Sequence, residues 1–365
     1  MTWSAWANAE ADSIRGAGQW RRLRPLDGGG PRFQTEDGRS VVAFASNDYL
    51  GLSQHPAVCA AAQGAIERWG AGTGSSRLIV GDRPVHSELE NALSAWRGVE
   101  AALVFPTGYQ ANLTTLSTFG AGARIVSDEL NHASIIDGAR LARAEVAVYR
   151  HGDAEHAEQL VRSAPGRVLL VSDTVFSMDG DVAPVAELSA VCARRGAMLV
   201  LDDAHAVFGA DPVDPEIACL RVGTLSKALG SQGGYISGPR SLVDLVVNRG
   251  RSFVYTTGLA PACAAAAKAA VDICRSDEGT GLRRTLRGHI DKIREHHPSP
   301  ILPVVVGDEA SALAASAKLL EAGLLVPAIR PPTVAPGTSR LRVSLSAAHS
   351  TDEVARLAKA LADLG

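Results

Sequence analysis

Short apolar and β-branched runs alternate with segments of helical period through the middle of the chain, from about residue 98 to residue 240. The runs that predict strands are 101–105, 124–127, 146–149, 168–172, 198–201 and 220–224. The segments that predict helices among them are 110–118, 132–144, 154–162 and 184–195. This alternation is typical of a mostly parallel sheet with helices on both faces, and it predicts the α/β class.

The flanking regions have a different pattern. Upstream, 56–69 and 85–96 predict amphipathic helices on either side of a Gly/Ser-rich loop at 70–76. Downstream, a polar, glycine-rich stretch at 276–281 is followed by a predicted helix, strand 301–306, helix 310–322 and strand 341–345. Ser350 with Glu353 is a capping-box pattern that predicts the start of the last helix. We therefore predict an N-terminal segment (1–45), a large α/β domain (46–275) and a small C-terminal α+β domain (276–365).

Charge and hydrophobicity exclude several classes of protein. The 365 residues carry 36 Lys and Arg against 39 Asp and Glu, a formal net charge of −3, which does not favour a nucleic-acid or anionic-lipid partner. The uncharged and mostly apolar run 252–267 contains Pro261 and is shorter than the roughly 20 apolar residues of a membrane span. The N-terminus lacks the basic-then-apolar layout of a signal peptide. We expect a cytoplasmic protein with neither a membrane nor a nucleic-acid partner.

The cysteines indicate neither a disulfide framework nor a metal site. The chain has five of them, with no Cys-x-x-Cys pair and no histidine at zinc-finger spacing. Reduced thiols in a cytosolic protein are the expectation, and we expect no bound metal.

The scarcity of lysine draws attention to one turn. Only five of the 36 basic side chains are lysines, and Lys227 is the first of them. It follows the strand predicted at 220–224, with the hydroxyls of Thr224 and Ser226 three residues and one residue before it. Arginine cannot replace lysine where an amine has to lose its proton and act as a nucleophile. Lys227 is therefore a candidate for Schiff-base chemistry, and a solvated loop lysine is the alternative.

Two adjacent carboxylates and a histidine end another predicted strand. Asp202, Asp203 and His205 come directly after the apolar run 198–201. A buried acid at a strand end suits a partner with a fixed positive charge, such as a protonated pyridine nitrogen. A helix cap or a structural ion pair is the alternative, and a magnesium or zinc site has no further ligand cluster to support it.

A third strand end resembles a phosphate site. Gly108 and Tyr109 lie where the strand at 101–105 gives way to a helix, and free N–H groups at a helix start bind phosphate. The chain has no G-x-G-x-x-G after a strand and no G-x-x-x-x-G-K-[ST], so the sequence does not favour a nicotinamide dinucleotide or a nucleoside triphosphate. The order of phosphate site, acid and lysine fits pyridoxal 5′-phosphate (PLP).

Nine stretches in collinear order resemble the α-oxoamine synthase family of fold-type-I PLP enzymes. They are SNDYLGL at 46–52, GTGSSR at 72–77, HAS at 132–134, VFSMDGD at 175–181, DDAH at 202–205, TLSK at 224–227, YTT at 255–257, AIRPPTV at 328–334 and RLRVSLSAAH at 340–349. Each is modest alone, but together they cover nearly the whole chain. The resemblance implies PLP fold type I, an aminotransferase-like α/β fold.

The resemblance also implies a role for each matching residue. Lys227 would hold PLP covalently, Asp202 would pair with its ring nitrogen, and His132 would stack on the ring. The remaining cofactor contacts would be Ser177 and His205 at the phenolic oxygen, Gly108, Tyr109 and Thr224 at the phosphate, and Thr256 and Thr257 at the phosphate of the neighbouring subunit. Asn47 and Arg330 would clamp the amino-acid carboxylate, whereas Thr333 and Arg21 would contact the acyl substrate.

The family resemblance implies a reaction and partners as well. We expect the decarboxylative condensation of L-alanine with a pimeloyl thioester, carried by coenzyme A or by an acyl carrier protein, in a homodimer. Sister activities that use glycine with an acetyl or succinyl thioester, or serine with a long-chain acyl thioester, are the nearest alternatives. A PLP aminotransferase and a non-catalytic partner subunit are more distant ones, and Lys227 argues against the latter.

Overall fold

The computed structural model describes residues 1–209 and 211–364, in which helices and strands alternate along most of the chain. The helices are α1 (Trp3–Gly16), α2 (Pro56–Trp69), α3 (Pro84–Arg97), α4 (Gly108–Phe119), α5 (Ala133–Ala142), α6 (Ala154–Arg162), α7 (Val185–Arg195), α8 (Arg240–Arg249), α9 (Arg251–Val254), α10 (Pro261–Cys274), α11 (Asp277–Ile293), α12 (Glu309–Glu321) and α13 (Thr351–Ala362). The strands are β1 (Leu26–Gly29), β2 (Arg32–Thr35), β3 (Ser40–Ala43), β4 (Ala101–Phe105), β5 (Arg124–Asp128), β6 (Glu145–Tyr149), β7 (Val168–Asp173), β8 (Met198–Asp202), β9 (Cys219–Thr224), β10 (Gly234–Gly238), β11 (Ile301–Gly307), β12 (Leu324–Leu325), β13 (Ala328–Ile329) and β14 (Ser339–Ser344).

A seven-stranded sheet in the order β4-β10-β9-β8-β7-β5-β6 forms the centre of the fold. Its strands are parallel except β10, which pairs antiparallel with both β4 and β9. One apolar cluster includes Leu116 of α4 and Ile135 of α5, and a second includes Val161 of α6 and Leu188 of α7. Because these helices cover the sheet, every residue of β4, β7 and β10 is buried. The predicted mostly parallel sheet is confirmed.

Two smaller sheets involve the ends of the chain. One has the order β1-β2-β3-β12, so that strands near the N-terminus share a sheet with Leu324–Leu325. The other is the antiparallel sheet β11-β14-β13, with β14 in its centre. Helix α13 begins with the predicted capping box, in which Ser350 accepts from the N–H of Glu353 and the Glu353 carboxylate accepts from the N–H of Ser350. The boundaries at residues 45 and 275 stay a prediction.

The helix predicted after 276–281 begins earlier than the sequence pattern indicates. Most of the polar stretch belongs to it, because α11 begins at Asp277 with Ser276 as its N-cap. Asp277 and Glu278 lie in the first turn, where carboxylates interact favourably with the positive end of the helix dipole. The glycines at 279 and 281 are therefore inside the helix, and Gly279 is buried against α10.

Two features are absent from the described residues. None of the helices between residues 1 and 209 or between 211 and 364 is long and apolar enough to cross a membrane. The same residues contain no group of three or more His, Cys, Asp or Glu side chains placed to hold a metal ion. All five cysteines are free thiols.

Candidate active site

Loops at the carboxyl ends of the parallel strands surround a cavity of about 280 Å³. Its lining includes eight of the residues that the sequence analysis singled out: Gly108, Tyr109, His132, Ser177, Asp202, His205, Thr224 and Lys227. They are far apart in the sequence, but parallel strands end at the same edge of a sheet, so the residues that follow them meet there. The predicted cofactor residues of one chain are thus brought together, apart from Thr256 and Thr257.

Lys227 lies in the turn after β9, and its amine is 2.7 Å from Nε2 of His205. The turn ends at Gly230, whose φ of +58° and close approach to the backbone of Ser53 leave no room for a side chain. Burial lowers the pKa of the Lys227 amine to about 8, although Asp202 and Asp173 oppose the shift. A substantial fraction of this amine is therefore neutral and nucleophilic at mildly alkaline pH.

The carboxylate of Asp202 is held in place from two sides at the end of β8. One oxygen accepts from the side-chain amide of Asn112 at 2.6 Å, and the other accepts from the N–H of Ala204 at 2.9 Å. Asn112 also donates to Ser134 of α5, at 2.9 Å. These contacts fix the direction of a buried carboxylate that faces the cavity, which is the arrangement that a cationic ring nitrogen requires.

A second buried acid, Asp173, lines the same cavity and was not singled out from the sequence. It ends β7 and lies in register beside Asp202 on β8. Burial and the neighbouring charge of Asp202 raise the pKa of Asp173 well above its usual range. Its carboxyl oxygen accepts from the backbone N–H of His132 at 3.0 Å, which helps to fix the N-cap of α5. The exposed side chain of His132 borders the cavity.

The start of α4 forms a cradle for an anion next to Thr224. Thr107 caps the helix by accepting from the N–H of Gln110 at 3.0 Å, and the N–H groups of the first turn have no partner within the helix. A Cβ on Gly108 would lie 3.5 Å from Cβ of Thr224, so glycine keeps this space open. Ser226, whose hydroxyl is 2.7 Å from that of Thr224, adds a donor that the sequence analysis did not assign.

PLP needs an amine, a carboxylate, an imidazole and an anion site around it. Lys227, Asp202, His205 and the start of α4 provide these groups, so the residues fit this cofactor. Lys227 would bind its aldehyde carbon, Asp202 its ring nitrogen and the start of α4 its phosphate. Burial, Lys227 and Arg342 lower the pKa of His205 well below its usual range, so its imidazole is neutral. A neutral imidazole can hydrogen-bond the phenolic oxygen from one ring nitrogen.

The structure places Arg342, and not Arg330, beside Asn47. Nη2 of Arg342 donates to Oδ1 of Asn47 at 3.3 Å, and its Nε donates to the carbonyl of Ser177 at 2.6 Å. Arg342 projects from β14, the central strand of its sheet, whereas Arg330 follows the short edge strand β13. Arg342 does not stand out in the sequence, because Arg330 lies in the more distinctive motif, next to two prolines.

Arg330 lines a separate and larger cavity of about 640 Å³, together with Arg21 and Thr333. Its guanidinium donates to the carbonyl of Gly18 at 3.2 Å and lies 3.4 Å from the carboxylate of Glu309. Arg330 is predicted to clamp the amino-acid carboxylate, and Arg21 and Thr333 are predicted to contact the acyl substrate. All three line the same cavity. This cavity also includes Trp20, so it combines apolar surface with two cations.

Thr256 and Thr257 lie after α9, outside the lining of the Lys227 cavity in the chain that the structure describes. Thr257 is exposed, next to the exposed Tyr255. Their predicted contact with the phosphate of a neighbouring subunit stays a prediction.

Residues 39–361 match the family of class I and II aminotransferases. The match spans most of the chain, which therefore belongs to this family. The predicted aminotransferase-like fold is confirmed by it and by solved structures of the same architecture.

Within this family, the chain is similar to proteins named 8-amino-7-oxononanoate synthase. It is 48% identical to the one from Methylobacterium sp. (strain 4-46), over 100% of this chain and 98% of the relative. The one from Methylobacterium nodulans is 47% identical, over 99% of this chain and 97% of the relative. The resemblance to α-oxoamine synthases is confirmed by these relatives.

Solved structures of serine palmitoyltransferase share the fold at a greater distance in sequence. The enzyme from Sphingomonas wittichii superimposes with a TM-score of 0.89 at 31% identity, over 98% of this chain and 96% of that chain. A high-resolution structure of SPT with the PLP internal aldimine has the same TM-score and coverage at 29% identity.

Proposed function

We propose that this chain catalyses the PLP-dependent decarboxylative condensation of L-alanine with a pimeloyl thioester. The products are 8-amino-7-oxononanoate, carbon dioxide and a free thiol, and the reaction belongs to biotin biosynthesis. Relatives of that name match the full length of the chain at 47% and 48% identity. The structural observation that carries the proposal is Lys227, a buried amine with a pKa of about 8 in a cavity whose other residues fit PLP.

Lys227 performs two tasks in this proposal. Its neutral amine would be the nucleophile that holds PLP, and the cofactor would supply an electron sink for negative charge at the amino-acid Cα. When it is not bonded to the cofactor, Nζ of Lys227 would be the general base that takes the proton from Cα. Before PLP binds, His205 is neutral and hydrogen-bonds Nζ at 2.7 Å, so it orients the amine for capture of the cofactor without adding a competing positive charge.

The other cavity residues would orient PLP and polarise its ring. Asp202, fixed by Asn112 and the N–H of Ala204, keeps the ring nitrogen protonated and so strengthens the electron sink. His132 would cover one face of a bound PLP ring, while Ser177 and His205 would hold its phenolic oxygen. Gly108, Tyr109 and Thr224, with Ser226, would bind the phosphate at the start of α4.

Two cavities divide the substrates between them. Arg342 and Asn47, at the border of the Lys227 site, hold the carboxylate of alanine, for which a guanidinium fork is well shaped. Arg21, Arg330 and Thr333 line the larger cavity and contact the acyl thioester, whose distal carboxylate suits a cationic lining. Alanine binding and acyl binding thus depend on different arginines.

We further propose a cytoplasmic homodimer in which Thr256 and Thr257 of one subunit reach the phosphate bound by the other. Thr257 is exposed and Thr256 is half-buried, and both lie outside the lining of the Lys227 cavity of their own chain, which supports this arrangement. Leu78, Ile79 and Val80 are three consecutive exposed apolar residues that precede Gly81, whose carbonyl oxygen would lie 3.2 Å from a Cβ on Gly258, and they offer surface that an interface would bury. Either coenzyme A or an acyl carrier protein carries the pimeloyl group.

The test is thiol release by the purified, PLP-loaded protein. Release is expected with L-alanine and pimeloyl-CoA, and not with glycine and acetyl-CoA, glycine and succinyl-CoA, or L-serine and palmitoyl-CoA. Release with one of the other pairs would replace the proposal by that sister activity. Amino transfer to a 2-oxo acid without a thioester would make the chain an aminotransferase.

Lys227→Ala is expected to abolish release without unfolding the protein. The matched control is Lys268→Ala, which removes a surface lysine paired with Asp272 on α10 and is expected to keep wild-type activity. Wild-type activity in Lys227→Ala would refute the assignment of the reactive amine.

A further inference from the structure

Tyr49 is a fully buried tyrosine whose hydroxyl lies between His205 and the carboxylate clamp. Its oxygen is 2.6 Å from Nδ1 of His205 and 3.1 Å from Oδ1 of Asn47. Nε2 of the same histidine is 2.7 Å from Nζ of Lys227, and Arg342 donates to the same oxygen of Asn47. An unbroken series of hydrogen bonds thus runs from the reactive amine to the clamp.

The number of protons in this series is fixed. Burial raises the pKa of Tyr49, so its phenol keeps its proton, and His205 is neutral and carries one N–H. When Lys227 donates to Nε2, the N–H of His205 is on Nδ1 and donates to Tyr49, whose hydroxyl then donates to Asn47. This arrangement satisfies every group in the series once.

The bound cofactor requires the opposite arrangement. To donate to a phenolic oxygen, His205 needs its N–H on Nε2, which leaves Nδ1 as an acceptor. Tyr49 is the only neighbour in the described chain within hydrogen-bond distance of Nδ1, and its hydroxyl has to donate to it. Only the hydroxyl hydrogen turns, because the Tyr49 oxygen already lies within hydrogen-bond distance of both partners.

We propose that Tyr49 is a positioning residue that selects the tautomer of His205, by turning its hydroxyl from Asn47 to Nδ1 when PLP takes the place of the free Lys227 amine at Nε2. The inference rests on the proposed function, since it takes the phenolic oxygen of PLP as the second partner. It assigns Tyr49 no contact with substrate or cofactor. Its effect is exerted entirely through His205.

Nitrogen-15 NMR of labelled histidine tests the switch directly, because the shifts of the two ring nitrogens report the tautomer. His205→Gln identifies the signal in the wild-type protein. The expected result is Nδ1–H without PLP, below pH 8 where Lys227 is mostly protonated, and Nε2–H with PLP. The same tautomer in both states would overturn the proposal, and this measurement needs no Tyr49 variant.

Tyr49→Phe removes the hydroxyl and keeps the ring. We expect kcat to fall roughly tenfold or more, the size expected when a buried partner loses its hydrogen bond, and the pH midpoint of the absorbance of bound PLP to shift. The matched control, Tyr149→Phe, removes an equally buried hydroxyl on the edge strand β6 and is expected to leave both unchanged. A wild-type midpoint and rate in Tyr49→Phe would also overturn the proposal.

Failure of the proposed function is distinguishable from failure of this proposal. It would appear as absent thiol release in the wild-type protein, whichever tautomers His205 adopts.

Discussion

The chemistry of the cavity depends on how much of the Lys227 amine is neutral. Burial lowers its pKa to about 8, so the amine is charged below this pH and neutral above it. We expect the rate at which the cofactor-free protein captures PLP to rise with pH, with a midpoint near 8, and then to level off. Stopped-flow absorbance between about pH 6 and pH 11 measures this rate. A midpoint near 10.5, the ordinary value for lysine, would mean that the amine is not desolvated.

The same Asp→Asn substitution is expected to have different effects at the adjacent residues Asp202 and Asp203. Asp202 faces the cavity, whereas Asp203 makes a buried ion pair with Arg221, at 3.0 Å. Asp202→Asn should lower kcat on the order of 100-fold with little loss of stability, because an amide does not hold the ring nitrogen protonated. Asp203→Asn should cost roughly 3 kcal/mol of unfolding free energy because it leaves Arg221 unpaired. Steady-state kinetics and urea unfolding of both variants separate the two roles, and equal effects would contradict the assignment.

The two candidate clamp arginines can be separated by their substrates. Arg342→Lys should raise KM for alanine about tenfold, since lysine cannot reproduce the guanidinium fork beside Asn47. Arg330→Lys should instead raise KM for the pimeloyl thioester, because Arg330 lines the larger cavity. Measuring KM for each substrate in both variants decides between them. An effect of Arg330→Lys on alanine alone would restore the role that the sequence motif predicted for it.

Among the individual residues of the cavity, those that follow a strand could be located from the sequence, whereas those within a strand or a loop could not. Asp202, His205 and Lys227 follow apolar runs, and the positions of those runs locate them at one edge of the sheet. Arg342 and Tyr49 carry no such signal, because one lies within a strand and the other is a buried aromatic in a loop. Only the packing of β14 and of the loop before α2 against the large sheet brings them to the cavity.

The loop between β7 and α7 is held by three side chains from other parts of the fold, two of them on β14. Arg342 donates to the carbonyl of Ser177, Arg340 pairs with Asp179, and Nε2 of His151 lies 2.7 Å from Asp181. These contacts fix the loop that presents Ser177 to the cavity. The C-terminal sheet, through the two arginines of β14, therefore supports the loop of the central sheet that carries Ser177, a proposed cofactor contact.

His151 makes this support dependent on pH. Although burial opposes a charge on the imidazole, hydrogen bonds to Asp128 and Asp181 raise the pKa of His151. The stabilisation of the folded protein by protonated His151 is complete below the pKa of this histidine in the unfolded chain, which is near 6.5. It is lost as pH rises through the higher pKa of the folded state. His151→Gln should thus lower the unfolding free energy by about 1 kcal/mol more at pH 6 than at pH 9. Urea unfolding at both values measures this, with the exposed His296→Gln as control, and a penalty that grows with pH would contradict it.

Strand β10, which the sequence did not predict, and the first turns of α11, which it placed before the helix, share a physical cause. Strand β10 begins and ends with glycine, and α11 begins in a polar stretch with two glycines, so neither has the composition of a regular element. Their partners determine them: β10 fills the space between β4 and β9, and α11 buries Leu286 and Ile290 in the largest apolar cluster. Tertiary packing here outweighs local propensity.

For the whole molecule, the proposed exchange of Thr256 and Thr257 between subunits makes each active site a product of two chains. A Lys227→Ala subunit would have no reactive amine, but it would supply intact threonines to its partner. A Thr256→Ala/Thr257→Ala subunit would have the amine but offer no threonines. A heterodimer of the two therefore contains one complete site and one site that lacks both features.

Mixing the two variants after dissociation and reassembly tests this arrangement. Half of the dimers formed by random reassembly are heterodimers, so the mixture should recover about a quarter of the wild-type thiol release, while each variant alone is impaired. Wild-type protein carried through the same treatment controls for losses during reassembly. If the threonines served the site of their own chain, every heterodimer would lack a complete site and mixing would restore nothing. Recovery by mixing is therefore the outcome that distinguishes a shared site from two independent ones.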